Sequence, residues 1–132
     1  MRILIALVLF GGLSLLYGCA QKPTQQQIDS ADYGYAISQY DAQKQVQDFF
    51  SAYLKDPSSA QYSFADVYKG YYVGSAFEGR KLQAGYMLDV RVNAKNSYGG
   101  YVGAKPYRFL FRNAKLISAW EITPSGMNIK IF

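Results

Sequence analysis

The chain has no histidine and one cysteine in 132 residues. Without histidine it lacks the commonest general base and the commonest transition-metal ligand. With Cys19 alone, no intramolecular disulfide can form. There is no Gly-x-Ser-x-Gly elbow and no phosphate-binding glycine loop ending in Lys-Ser/Thr. No metal set is legible, and neither cofactor nor enzymatic activity is expected. Nine carboxylates allow an acid/base pair, such as Asp66 with Asp89 or Glu121. Strand carboxylates that face solvent and pair with Arg91, Arg108 or Arg112 across a sheet account for the same residues. Long apolar runs are also scarce. The charge-free stretch Ile3 to Leu16 falls short of the roughly 20 residues a bilayer span needs.

Tyrosine, by contrast, is abundant, with 13 residues. Its apolar face and polar tip suit half-buried sheets and binding surfaces. The N-terminus has the layout of an export signal: Arg2, then the apolar stretch. It ends in Leu16-Tyr17-Gly18-Cys19, which resembles the lipobox of a bacterial lipoprotein precursor. Tyr17 stands where a small residue is usual. The resemblance implies lipidation of Cys19 and cleavage before it. Because Ala20 rather than an aspartate follows, it also implies sorting to the outer membrane; the domain is expected to face the periplasm.

Removing residues 1–18 leaves 132 − 18 = 114 residues, and loss of Arg2 leaves 13 basic against 9 acidic side chains, a charge of +4. That length fits one domain with a tether. The charge suits an anionic envelope surface or an acidic partner and is too small for nucleic-acid binding. The expected organisation is a signal peptide over 1–18, a tether over 19–39 and a folded domain over 40–132. The tether is rich in glutamine; Tyr33, Tyr35 and Ile37 can dock on the domain, and a disordered stretch fits the composition equally.

The domain is expected to be α+β, an N-terminal amphipathic helix packed on an antiparallel meander of four to five strands. Val46, Phe49, Phe50, Tyr53 and Leu54 form one apolar stripe at helical spacing, capped by Ser38 or Asp41 and stopped before Pro57. Tyr62, Phe64 and Tyr68 read as one strand face, and residues 70–81 as a strand end, a loop and a short edge strand. Alternation is clearest over Tyr86 to Ala94, with Leu88, Val90 and Val92 facing inward. It recurs in Tyr107, Phe109 and Phe111, and in Leu116, Ser118, Trp120 and Ile122, with Asn113-Ala114 turning between them. Ile129 and Ile131 suggest a last short strand. Phe49, Phe50, Leu88, Val90, Phe109 and Trp120 are expected to share one core.

"LKDPSSAQY" (54–62) and "VNAKNSYGGYVG" (92–103) resemble a pattern in small exported bacterial proteins of unassigned function. Some outer-membrane lipoproteins of this size are accessory parts of secretion machines. The loop from Asn93 to Lys105 is the leading candidate contact site: Tyr98 and Tyr101 lie among turn-forming residues, flanked by Lys95 and Lys105. A glycine-rich turn whose tyrosines cover a sheet edge fits that composition equally. Arg91, Arg108 and Arg112 form either a basic stripe able to take carboxylates or phosphates or a solvated face.

The leading functional expectation is therefore a non-catalytic outer-membrane lipoprotein that contributes a binding domain to an envelope assembly, with a protein partner. A peptidoglycan-binding module and a periplasmic hydrolase inhibitor are the alternatives.

Overall fold

The structure, a computed structural model, describes residues 22–132. The signal segment and Cys19 lie outside the described residues. A five-residue helix, α1 (Gln25–Asp29), comes first. Thr24 caps it in a reciprocal box: its Oγ1 accepts from the Gln27 N–H, while the Gln27 side chain accepts from the Thr24 N–H. The main helix, α2 (Gln39–Tyr53), starts at Ser38, whose Oγ accepts from the Asp41 N–H at 3.0 Å. It buries Ala42, Val46 and Phe50, and the chain leaves it at Leu54. A 3-10 turn at Pro57–Ser59 leads into the sheet.

Among the described residues the sheet has six strands: β1 (Gln61–Phe64), β2 (Tyr68–Val73), β3 (Leu82–Asn93), β4 (Lys105–Arg112), β5 (Lys115–Ile122) and β6 (Asn128–Lys130). All pairings are antiparallel. The α+β expectation fits the main helix and sheet. Two details are corrected. The main helix is not N-terminal, because α1 precedes it, and the strands number six rather than four or five. The extra strand arises because β1 and β2 share one edge of the long β3, β1 on its C-terminal half and β2 on its N-terminal half. Gly70 and the surrounding loose pattern hide β2 in the sequence, and β6 is only three residues long.

Two one-residue offsets decide which side chains share a face. Phe64 opposes Val90, whereas Tyr68 opposes Met87. Four steps on one strand match three on the other, so Tyr68 turns to the face opposite Phe64, contrary to the expected common face. In β5, Leu110 opposes Ser118 but Phe111 opposes Leu116, which leaves Ile117 as the extra residue. Leu116 therefore packs on the helix side, and Trp120 does not.

The core is accordingly in two parts. On the α2 side, Val46 and Phe50 pack against Leu88, Val90, Val92, Tyr107, Phe109, Phe111 and Ala119, joined by Ile37. On the far side Met87, Leu110 and Trp120 form a separate cluster covered by Tyr72, whose ring centroid lies 4.6 Å from that of Trp120. The segment before α2 lies against the sheet. The Tyr35 N–H donates to Asn113 Oδ1 at 3.2 Å, and Arg112 pairs with Asp32. Among the described residues no helix is long and apolar enough to cross a membrane.

Candidate functional site

The chain reverses at two opposite ends of the sheet. The β2–β3 and β4–β5 turns lie at one end, and the β3–β4 loop and β5–β6 turn at the other. β3 runs between them for 12 residues, about 40 Å. The loop at the second end contains the tyrosines singled out in the sequence.

That loop has an internal frame. Lys95 and Tyr101 form a bridge, and Asn96 closes the turn within it. The Asn96 N–H donates to the Gly100 carbonyl at 2.9 Å. The Asn96 side-chain oxygen accepts from the N–H groups of Tyr98 at 2.9 Å and Gly100 at 3.2 Å. An asparagine whose side chain satisfies two backbone donors of its own turn braces that turn without apolar packing. Gly99 has φ +78° and Gly103 has φ +97°, values that disfavour any side chain.

The loop is also tied to the 3-10 turn and to Lys55 before it. The Lys95 N–H donates to Ser59 Oγ at 2.8 Å, the Tyr101 hydroxyl to the Ser59 carbonyl at 3.0 Å, and Lys55 Nζ to Ser97 Oγ at 3.0 Å. Gln61 and Tyr62 then pair with Asn93 and Val92 in the sheet. The two sequence stretches 54–62 and 92–103, far apart along the chain, thus form one structural unit. Sequence reading singled out both stretches without joining them. It missed Lys55 and Ser59 as supports for the loop.

Between the end of α2 and this loop lies an open groove of about 320 Å³. Leu54, Val92 and Val102 supply apolar walls, and Lys55, Lys95 and Lys105 supply cations. Lys105 reaches Glu121 at 3.4 Å, and Lys95 Nζ lies 5.6 Å from the Tyr101 ring centroid. Tyr107 lines the groove as well. Burial pushes its hydroxyl up to about 12, with the nearby Glu121 carboxylate adding to the shift, so it stays protonated and able to donate.

The predicted tyrosines differ in role. Tyr98 is 96 % exposed, whereas Tyr101 is 45 % exposed and held by its hydroxyl. Val102, at 60 %, is the other exposed apolar side chain of the loop. Lys95, Lys105, Tyr98 and Tyr101 come together here. The arginines do not gather into one site. Arg108 lies mid-sheet on the far face, where Nε and Nη2 donate to Asp89 at 2.6 and 2.8 Å. Arg91 reaches back to the Ala104 carbonyl at 3.4 Å, and Arg112 is at the opposite end with Asp32.

No protein-family model, curated protein or solved structure matches the chain.

Proposed function

We propose that the protein is a non-catalytic, lipid-anchored envelope component that binds a protein partner through its 93–105 loop. The carrying observation is the contrast between loop base and tip. The base is fixed to Ser59, and Lys55 holds Ser97, while Tyr98 projects into solvent and Val102 is exposed on the same loop. A side chain held out on a rigid support loses little freedom when it binds, which is how interface anchors gain affinity. Tyrosine orders at low entropic cost because few bonds must be fixed. Anchoring is proposed through Cys19, in the lipobox-like Leu16–Cys19 stretch. Sorting to the outer membrane is proposed from Ala20 after the cysteine, and a periplasm-facing domain is part of the same proposal.

The test is a photo-crosslinker placed at position 98 in living cells. A discrete protein adduct, lost when the crosslinker is moved to exposed Tyr40 on α2, supports the reading. The cations of the groove, Lys55, Lys95 and Lys105, favour a second reading in which the loop holds carboxylate-bearing peptidoglycan. Retention on purified sacculi, without a protein adduct, would select it.

A further inference from the structure

An open cavity lies at the end of the domain opposite the loop. It measures about 920 Å³ and opens between α1 and the β2–β3 turn. Val73, Leu82 and Ala84 line it, and Lys22, Arg80 and Arg112 stand around them. Beside it the turn of residues 74–81 projects Phe77, which is 104 % exposed, the most exposed large apolar side chain of the described residues.

This turn is held in shape. The Gly74 N–H donates to the Lys81 carbonyl at 3.0 Å, the Arg80 N–H to the Ser75 carbonyl at 3.0 Å, and Lys130 Nζ to Glu78 at 2.8 Å. Arg80 sits at φ +53°, a conformation uncommon for a non-glycine residue. A phenylalanine is thus kept in water on a fixed turn that also carries Arg80 and Lys81, outside both core clusters of the described residues.

Lys22 borders the same cavity, and only three peptide steps separate it from Cys19. Those steps reach at most about 10 Å when fully extended. α1 adds no slack after Lys22: its Thr24 cap is closed, and the Tyr33 hydroxyl donates to the Ile28 carbonyl at 3.1 Å. An acylated Cys19 would therefore bring this end of the domain, and not the loop end, against the bilayer.

The charges suit such a seat. Asp32 is taken by Arg112, Glu78 by Lys130, and Asp29 by the Gln25 amide. Lys22, Arg80 and Lys81 make no ion pair among the described residues. An exposed apolar ring on a turn that also carries cations without an ion pair among the described residues fits the boundary between headgroups and acyl chains, where phosphates attract the cations.

We propose that this end of the domain seats on an anionic phospholipid surface, with Phe77 entering the headgroup boundary and Lys22, Arg80 and Lys81 facing the phosphates. The proposal rests on the anchor reading above. It fixes the orientation: the loop of Tyr98 points away from the membrane, about one β3 length, or roughly 40 Å, from the lipid.

The test uses the full acylated chain carrying Phe77→Trp, reconstituted into vesicles of equal parts phosphatidylcholine and phosphatidylglycerol. The wild type, whose buried Trp120 is its only tryptophan, gives the background. The expected result is flotation with the vesicles, emission shifted to shorter wavelength, and quenching by brominated acyl chains. Adding Arg80→Glu and Lys81→Glu should abolish the shift and leave flotation intact. Flotation with a water-like emission from the introduced indole overturns the docking and spares the anchor. A shifted emission that brominated lipid does not quench reports a protein contact and overturns it too. A chain that does not float refutes the anchor, and the docking with it.

Discussion

The Tyr101 hydroxyl donates to the carbonyl of Ser59, 42 residues earlier, at 3.0 Å. The same serine accepts from the Lys95 N–H through its Oγ at 2.8 Å. One residue of the 3-10 turn therefore holds both sides of the loop bridge. This explains how a glycine-rich loop can be rigid with almost no apolar contact of its own.

Ser59→Ala should loosen the loop more than Tyr101→Phe. The alanine leaves the partly buried Lys95 N–H without its acceptor, and an unpaired buried donor costs about 1–3 kcal/mol. The phenylalanine removes one ordinary hydrogen bond at a half-exposed position, worth about 1 kcal/mol. Amide exchange over residues 94–101, with thermal melts, measures both. Equal protection in the two variants would show that Ser59 is not the support.

Phe109→Ala should severely destabilise the domain. Phe109 is fully buried, and its ring lies 5.4 Å from Phe49 and 5.6 Å from Phe50, centroid to centroid. Such truncations cost about 3–5 kcal/mol, against a total stability of perhaps 5–15 kcal/mol. Trp120→Phe should cost much less, below about 2 kcal/mol. Its indole N–H is buried, with the Tyr72 hydroxyl nearby but no well-formed hydrogen bond among the described residues, so removing it relieves a desolvation penalty that offsets part of the lost volume. Denaturant melts of the two variants give the comparison.

The sequence made the helix stripe and the alternation of β3 and β4 legible, because both rest on periodicity over many residues. Leu88, Val90, Val92, Tyr107 and Phe109 lie where alternation places them. Trp120 and Tyr68 do not, because a single extra residue inverts the phase, and no composition signal marks Ile117 or the link between β1 and β2 as that residue. The candidate loop was legible as a loop. The separate fates of Tyr98 and Tyr101 were not, since they depend on a serine in another segment. Gly85 carried a signal that alternation alone does not read: glycine inside a strand often marks close approach.

Gly85→Ala should be strongly destabilising. A Cβ there would lie 2.1 Å from the Phe111 carbonyl oxygen and 3.1 Å from Leu110 Cδ1. The first is backbone of the neighbouring strand and cannot rotate away, so the β3–β4 pairing must open. Overpacking of this kind typically costs about 1–3 kcal/mol or more. Gly70→Ala is the control: its new Cβ meets the Met87 thioether at 2.6 Å, and that side chain is flexible. Gly85→Ala should lower the melting temperature well below that of Gly70→Ala, and the reverse order would show that the strands approach differently there.

Glu78 should titrate well below an ordinary glutamate. The hydrogen bond from Lys130, and then that from the Ser75 N–H at 2.8 Å, hold its carboxyl down to about 2 from 4.5. A folded-state value below the unfolded one means that the contribution is complete above about pH 4.5 and is lost as pH falls toward 2. The turn of residues 74–81 should therefore keep its Glu78 latch through mildly acidic pH and release it only near pH 2. A side-chain carboxyl NMR titration checks this. Lys130→Gln should move the midpoint back toward 4.5. A wild-type midpoint already near 4.5 would mean that the pair does not persist in solution.

Tyr98→Ala should separate binding from stability. Its ring is almost fully in solvent, and the loop frame around it is made by the Asn96 side chain and by backbone groups that alanine keeps. The melting temperature should hardly change, since surface substitutions usually stay within about 0.5 kcal/mol. If Tyr98 is an interface anchor, recovery of the crosslinked partner should fall sharply, because truncated anchors often cost 2 kcal/mol or more, roughly thirtyfold in affinity. Val102→Ser tests the adjacent exposed position and should weaken binding less, valine being under-represented among anchors. Tyr101→Phe should lie between them, losing some binding through a looser base while keeping the ring. A Tyr98→Ala protein that is stable and still recovers its partner undiminished would place the contact elsewhere, with the lysine-lined groove of Lys55 and Lys105 as the next surface to substitute.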